Sequence, residues 1–404
     1  MSKSNASRIQ ITGPLASYAS GFAAELSRMG YAPSSRDHQL WLMAHLSRWM
    51  AAKGVEPAAL RREVVEEFVA VRRAAGYTTF RSARALEPLM SYLHGLGVAG
   101  PAADVELTPV EVLLEHYARY LRVERNLASS TIRLYVDAVR PFVAGRVLGG
   151  ELDLSGLTAS EVTTFLLEFS RGRSSKSAKA TATALRSLLG FLHVEGTLAS
   201  SLIGAVPAVA SWQLAPLPRG LEPGEVSRLL ASCDRRTRAG RRDFAMMLLM
   251  VRLGLRAAEV AGLELDDIDW RAGEIVVHGK GGRDERLPLP DDVGQAVAGY
   301  LQRGRPATAQ GRCVFVRLNA PHRGLIPTTV TQAVFAAGQR AGLGTVRAHR
   351  LRHTAASQML AKGAPLAEIG QLLRHRRALT TAIYAKVDRV ALRPLARPWP
   401  AGAA

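Results

Sequence analysis

Residues 274–290, EIVVHGKGGRDERLPLP, carry the clearest β-strand signal in the chain. Two short runs, EIVVH and ERLPL, flank a turn that is rich in glycine and charge, which is typical of a β-hairpin. Lys280 lies in that turn, and it is the only lysine between Lys179 and Lys362. A chain that otherwise avoids lysine has one in the predicted turn, so the hairpin is a candidate functional element.

Helical sequence flanks this hairpin on both sides. Apolar residues recur at three- and four-residue spacing through residues 14–205 and again after Pro327. A buried helix, FAMMLLMVRLGL, and a second helix that begins near Arg256 precede the hairpin. The sequence therefore predicts a mainly α fold with a small β-sheet, in which helical bundles are followed by an α+β domain.

A weak internal repeat lies within the first two hundred residues. ALEPLMSYLH (85–94) matches ALRSLLGFLH (184–193) at an offset of 99. Upstream, GYAPSSRDHQLWLM from Gly30 matches RNLASSTIRLYVDA from Arg125 at an offset near 95. Two similarities in the same order indicate duplication of a small helical bundle.

A proline-rich segment divides the chain. VPAVASWQLAPLPRG (206–220) has three prolines and no periodicity, which predicts an extended linker. We predict an additional helical domain over residues 1–105 and a second helical domain over 106–205. The linker (206–220) is followed by an α+β domain (221–392) and a tail (393–404).

The composition points to a polyanionic partner. Lys and Arg total 53 against 34 Asp and Glu, a net charge of +19, which favours DNA or RNA. Two cysteines are too few for a disulfide framework or a four-cysteine zinc site. The apolar runs are too short for a membrane span, and the polar start lacks the apolar core of a signal peptide. We therefore expect a soluble cytoplasmic protein with no membrane association.

Several polar residues of the predicted α+β domain suit attack on a phosphodiester. Guanidinium groups bind non-bridging oxygens, and Arg256 and Arg352 supply them. His349 and Lys280 suit the base and the acid, and the Tyr384 hydroxyl is the candidate nucleophile. A phosphotyrosine stores the bond energy, so neither a cofactor nor a metal is expected.

In order and spacing, these residues resemble the tyrosine recombinase (phage integrase) family of site-specific DNA recombinases. Glu259 stands three residues after Arg256, and residues 349–354, HRLRHT, are similar to the family's H-x-L-R-H-T box. Tyr384 follows His375 by nine residues, as in the family. The resemblance covers roughly residues 109–392. It implies a SAM-like, core-binding helical domain over 109–205, followed by the catalytic domain.

The resemblance also implies roles for these residues. Tyr384 would attack the scissile phosphate to give a 3′-phosphotyrosine. Glu259 would support Arg256 rather than touch DNA. Arg256 and Arg352 would bind the non-bridging oxygens of the phosphate. Lys280 would protonate the leaving 5′ oxygen, and His349 would act as the general base. His375 would donate a hydrogen bond to the phosphate. The expected assembly is a homotetramer on double-stranded DNA, with or without other recombinases.

Two single residues and one segment outside the candidate set also carry predictions. Arg374 stands where the family usually has glycine, which indicates either a different helix end or an added phosphate contact. His353 is expected to pack or cap locally. SRGRSSKSAK (170–179) is interpreted as a disordered polar loop or a DNA clamp, and its serines and cations favour the clamp.

Three alternative functions remain. A tyrosine-type transposase would use the same residues and differ in target choice. A type IB topoisomerase would relax supercoils as a monomer without a specific site. A DNA-binding regulator would keep the fold without activity, and the complete set of six candidate residues disfavours it.

Overall fold

The computed structural model describes residues 9–99, 107–209, 220–279 and 283–374, together with Thr381 and Tyr384. Helices dominate these residues, and the strands form two small antiparallel sheets, which confirms the predicted fold class. The chain divides into two compact units, one of residues 102–214 and one of residues 1–101 with 215–404. None of the described helices is long and apolar enough to cross a membrane.

The N-terminal part of the larger unit is a four-helix bundle. Helix α2 begins at Pro33, whose fixed φ suits a first helical turn, and it ends at Gly54 in the left-handed conformation. Leucine, methionine and phenylalanine side chains form a separate apolar core within the bundle. The helices are α1 (Ala19–Arg28), α2 (Pro33–Lys53), α3 (Arg62–Ala74) and α4 (Glu87–Gly95).

The smaller unit is a second four-helix bundle with its own core. The two sequence matches fall on the second and fourth helices of both bundles. Thr158 and Glu161 form a capping box that begins α7. The elements are α5 (Pro109–Val123), α6 (Ser129–Ala144), β1 (Val147–Leu148), β2 (Glu151–Leu152), α7 (Ala159–Ser170) and α8 (Ser175–Val194).

Two predicted loops lie in or beside this bundle. The linker is predicted to be extended from residue 206, and Val206 has an extended backbone with its side chain buried in the core. The Arg186 guanidinium donates to the carbonyl oxygens of Val206 and Pro207, both at 3.0 Å. Residues 210–219 of that predicted linker lie outside the described residues. The disordered-loop interpretation of 170–179 is wrong, because Ser174 caps α8 and only residues 171–174 separate it from α7.

The rest of the larger unit has a core of its own around a buried helix, α10, which packs against α12 and α14. The predicted hairpin is present as β4 and β5, with Ile275 opposite Leu287, and its turn at 280–282 lies outside the described residues. A short strand, β3, adds to β4. The elements are α9 (Pro223–Ala231), α10 (Arg238–Arg252), α11 (Ala257–Ala261), β3 (Ile268–Asp269), β4 (Glu274–Gly279), β5 (Arg283–Pro288), α12 (Asp291–Arg303), α13 (Pro327–Arg340), α14 (Ala348–Ala361) and α15 (Leu366–Leu372).

Candidate active site

Four of the six candidate residues lie within the described structure. Arg256 is the N-cap of α11, His349 and Arg352 lie on α14, and Tyr384 follows α15. Lys280 and His375 lie outside the described residues. The short connection between α10 and α11 brings Arg256 towards α14. At Gly254 in this connection (φ +60), an added Cβ would lie 2.7 Å from Leu373 Cδ2, so the chains pass closely.

Glu259 holds Arg256 in place. The backbone N–H of Arg256 donates to Glu259 Oε2 at 2.7 Å, and Arg256 Nη1 donates to Oε1 at 2.5 Å. The Glu259 side chain is 4% exposed, whereas that of Arg256 is 39% exposed. Burial by itself raises the pKa of Glu259, but Arg374 and Arg256 outweigh it and hold the pKa below its ordinary value. The carboxylate is therefore ionised, and Arg256 keeps an accessible guanidinium.

Arg352 is a buried cation at the centre of the cluster. It is 1% exposed, and Nη1 donates to the carbonyl oxygen of Gly254 at 2.5 Å. Nη2 donates to the carbonyl oxygen of Leu373. Burial, reinforced by Arg256 and Arg374, lowers the pKa of Arg352 to about 9. The guanidinium therefore keeps its charge at neutral pH.

Arg374 joins the same cluster from the end of α15. Its backbone is left-handed, with φ of 50°. The side chain turns inward, and Nη2 donates to Glu259 Oε2 at 2.7 Å. Arg374 follows the C-cap Leu373 in the left-handed conformation that glycine takes at this position, so the interpretation of a different helix end is wrong. The added phosphate contact is wrong for this conformation, because the side chain is only 3% exposed.

Tyr384 is buried against His353. The Tyr384 hydroxyl lies 2.7 Å from His353 Nδ1, and Tyr384 is 1% exposed. Burial, with His349 and Arg352 nearby, lowers the pKa of His353 to about 4. The imidazole is therefore neutral at pH 7 and shares a hydrogen bond with the phenol hydroxyl. Burial raises the pKa of Tyr384, and Arg352 offsets part of that rise.

His353 is a functional candidate that the sequence interpretation missed. It was expected only to pack or cap locally, yet it contacts the candidate nucleophile. A signal was available, because His349 and His353 are four residues apart and share one helix face. Their ring centroids are 4.4 Å apart.

The depressed pKa of His353 predicts a pH-dependent stability. The unfolded chain takes up a proton at the ordinary histidine pKa of about 6.5, whereas the folded chain does so only near pH 4. The free energy of unfolding therefore falls as the pH drops from 6.5 towards 4. The free energy of unfolding is measured with urea at pH 7 and at pH 5 for the wild type and for His353→Gln. Between these two pH values it is expected to fall by about 1 kcal/mol less in His353→Gln than in the wild type, a figure reduced because His353 is only partly buried. Equal falls in both proteins would contradict the burial of a neutral His353.

Arg256 is the accessible guanidinium of the described cluster, whereas Arg352 and Tyr384 are each 1% exposed, so a phosphate reaches those two only after a rearrangement. Three arginines and one glutamate meet near Gly254 and leave two net positive charges. Tyr384 lies in the same buried apolar cluster as Leu373, whose carbonyl oxygen accepts a hydrogen bond from Arg352. Guanidinium groups of this kind stabilise charge on phosphate oxygens.

Comparison with known proteins finds relatives over almost the whole chain. The phage integrase family model matches residues 219–390, and that of the phage integrase N-terminal SAM-like domain matches residues 114–196. The Sinorhizobium fredii protein y4rA, an integrase/recombinase by name, is 42% identical over 393 residues, which cover 96% of this chain and 95% of the relative.

Solved structures share the fold at low identity. The post-cleavage complex of the XerH site-specific recombinase with a palindromic difH substrate has a TM-score of 0.56 at 18% identity, covering 83% of this chain and 95% of that one. A lambda integrase tetramer bound to a Holliday junction has a TM-score of 0.51 at 17% identity, covering 79% and 88%. Fold and sequence together define the integrase class of DNA recombination proteins. The chain belongs to the phage integrase, or tyrosine recombinase, family.

Proposed function

We propose that this protein is a site-specific DNA recombinase that cuts and rejoins DNA through a 3′-phosphotyrosine intermediate. The observation that carries the proposal is the grouping of three candidate residues around two backbone carbonyls. Arg352 donates to the carbonyl oxygens of Gly254, two residues before Arg256, and of Leu373, which shares an apolar cluster with Tyr384. A hydroxyl nucleophile forms the covalent intermediate, and guanidinium groups stabilise the charge that develops on the phosphate oxygens.

The chemistry follows from these groups. Tyr384 Oη attacks phosphorus, the bond between phosphorus and the 5′ oxygen breaks, and the phosphate stays bonded to the 3′ oxygen. His349 accepts the phenol proton, and Lys280 donates a proton to the leaving 5′ oxygen. Arg256, Arg352 and His375 bind the phosphate oxygens. A 5′-hydroxyl of a second strand then attacks the phosphotyrosine and releases Tyr384, so bonds and protons balance without a cofactor.

The partner in this proposal is double-stranded DNA. The net charge of +19 supports binding to a polyanion. Exchange of strands between two duplexes requires four cleavage events, so we propose a homotetramer in the synaptic complex. The lambda integrase tetramer on a Holliday junction, which has the same fold, supports this assembly.

Lys280→Ala tests the assignment of the general acid. Cleavage of an ordinary duplex is expected to slow by about 100-fold, because the 5′ oxygen leaves without a proton donor. A 5′-bridging phosphorothiolate, whose thiolate leaves without protonation, is expected to restore the rate. The measurement is single-turnover formation of the covalent adduct on both substrates.

Lys362→Ala is the matched control, because Lys362 is exposed at the end of α14. It is expected to cleave both substrates at the wild-type rate. An equal defect of Lys280→Ala on the oxygen and sulfur substrates would remove the general-acid assignment.

A further inference from the structure

Arg374 occupies a backbone conformation that does not favour it. Its φ of 50° lies in the left-handed region, where an L side chain costs free energy that glycine avoids. The family usually has glycine here, and the chain turns at this point after α15 in the way that glycine permits. The strained position of Arg374 directs attention to the contacts of its side chain, which offset this cost.

The side chain is committed to the arginine cluster. Nη2 donates to Glu259 Oε2 at 2.7 Å, the oxygen that also accepts the Arg256 backbone N–H. Nη2 lies 3.4 Å from the Gly254 carbonyl oxygen, which also accepts a hydrogen bond from Arg352. Nη1 donates to the Leu372 carbonyl oxygen at 2.8 Å. Nε is buried, and no partner for it is found among the described residues.

The consequence is a balance of charge on Glu259. Both side chains of the Arg374–Glu259 pair are less than 5% exposed, so solvent screens this interaction little. If Arg374 were absent, Arg256 would be the one described arginine with a direct ion pair to Glu259, with Arg352 acting at longer range. With Arg374 present, two arginines pair with the one carboxylate. The positive electrostatic potential around Arg256 is then higher, which favours an incoming anion.

We propose that Arg374 is a positioning residue that balances the buried Glu259 carboxylate, so that Arg256 is held in place yet remains available to the scissile phosphate. This proposal rests on the proposed function, because it assigns a phosphate to Arg256. Arg374 acts through Glu259 and does not touch the reacting atoms.

The test compares Arg374→Gly, Arg374→Lys, Glu259→Gln and the double variant Arg374→Gly/Glu259→Gln. The probe is a nicked suicide duplex that contains a sequence recovered from covalent adducts. Arg374→Gly is expected to lower the single-turnover cleavage rate by roughly 10- to 100-fold, the range typical of lost orientation of a catalytic group. Duplex affinity is expected to stay within about twofold of wild type, because the buried side chain offers no DNA contact. Arg374→Lys keeps a cation on Glu259 and is expected to lose less.

The double variant separates charge balance from a role in the turn. Once Glu259 is neutral, removal of Arg374 is expected to cost less than about threefold in rate, so the two losses do not multiply. A purely structural role predicts the opposite, since glycine suits the left-handed turn and Arg374→Gly would then cleave at least as fast as wild type. That result, or equal losses for lysine and glycine, would overturn the proposal.

Urea unfolding of the same four variants gives a readout that does not depend on cleavage. Glu259→Gln leaves Arg374 buried without a counter-ion and is expected to lower the urea midpoint, and the double variant is expected to recover part of it. If the urea midpoint recovers in the double variant but the wild-type protein forms no DNA adduct, the pairing of Arg374 with Glu259 is supported and the proposed function is contradicted. Wild-type cleavage with no coupling between the two positions would contradict the inference alone.

Discussion

Tyr384→Phe is expected to form no covalent DNA adduct while it binds duplex DNA with nearly wild-type affinity. Phenylalanine keeps the ring in its buried position and removes the hydroxyl, the only atom that attacks phosphorus in the proposed reaction. The lost hydrogen bond to His353 is expected to lower stability by about 1 kcal/mol, too little to unfold the protein. A nicked suicide duplex, denaturing gels and fluorescence anisotropy measure the adduct and the affinity.

Tyr300→Phe is the matched control for this change. Tyr300 is also buried, and its hydroxyl accepts the Val316 N–H at 3.3 Å in the core behind the hairpin. The control loses the same atom at a similar cost in stability and is expected to form the adduct at the wild-type rate. Adduct formation by Tyr384→Phe would exclude Tyr384 as the nucleophile, and a parallel loss of DNA binding would contradict a purely catalytic role.

Arg352→Ala is expected to lower the cleavage rate by about 1,000-fold, because it removes a charged donor from the transition state. It also leaves two buried carbonyl oxygens, those of Gly254 and Leu373, without this donor. The free energy of unfolding is expected to fall by about 2–3 kcal/mol. Single-turnover adduct formation and urea unfolding measure the two effects separately.

Arg350→Ala is the control on the same helix. Arg350 Nη2 donates to the Gly220 carbonyl oxygen at 3.4 Å and lies 3.6 Å from Glu225, so it belongs to a contact with α9 outside the cluster. The control is expected to lose about 1 kcal/mol of stability or less and to keep the wild-type cleavage rate. Cleavage by Arg352→Ala at a rate near that of Arg350→Ala would remove Arg352 from the proposed site.

Local signals predicted much of the fold. The apolar run from Phe244 predicted the buried α10, and the helix expected near Arg256 is present as α11. The two short runs on either side of the turn at Lys280 predicted the strands of the hairpin. These elements are readable because capping, turns and periodicity act over a few residues.

Contacts between distant residues were not readable in the same way. Arg374 meets Glu259 across 115 residues, and the sequence gives only an exception to a glycine pattern there. The contact of His353 with Tyr384 spans 31 residues and needs the turn after α15 to form. The burial of Val206 likewise depends on Arg186, which satisfies two carbonyl oxygens of an apparent linker. Each of these features follows from tertiary packing, which overrides local propensity.

Recovery of DNA covalently bound to the protein in cells tests the central claim most directly. The wild-type chain and Tyr384→Phe are expressed, denatured and captured, and the attached DNA is sequenced. We expect adducts at a few shared sequences in the wild-type sample and none in the variant. Tyrosine-dependent adducts without a shared sequence would contradict site-specific recombination and favour topoisomerase action, and the absence of adducts from both samples would contradict cleavage itself.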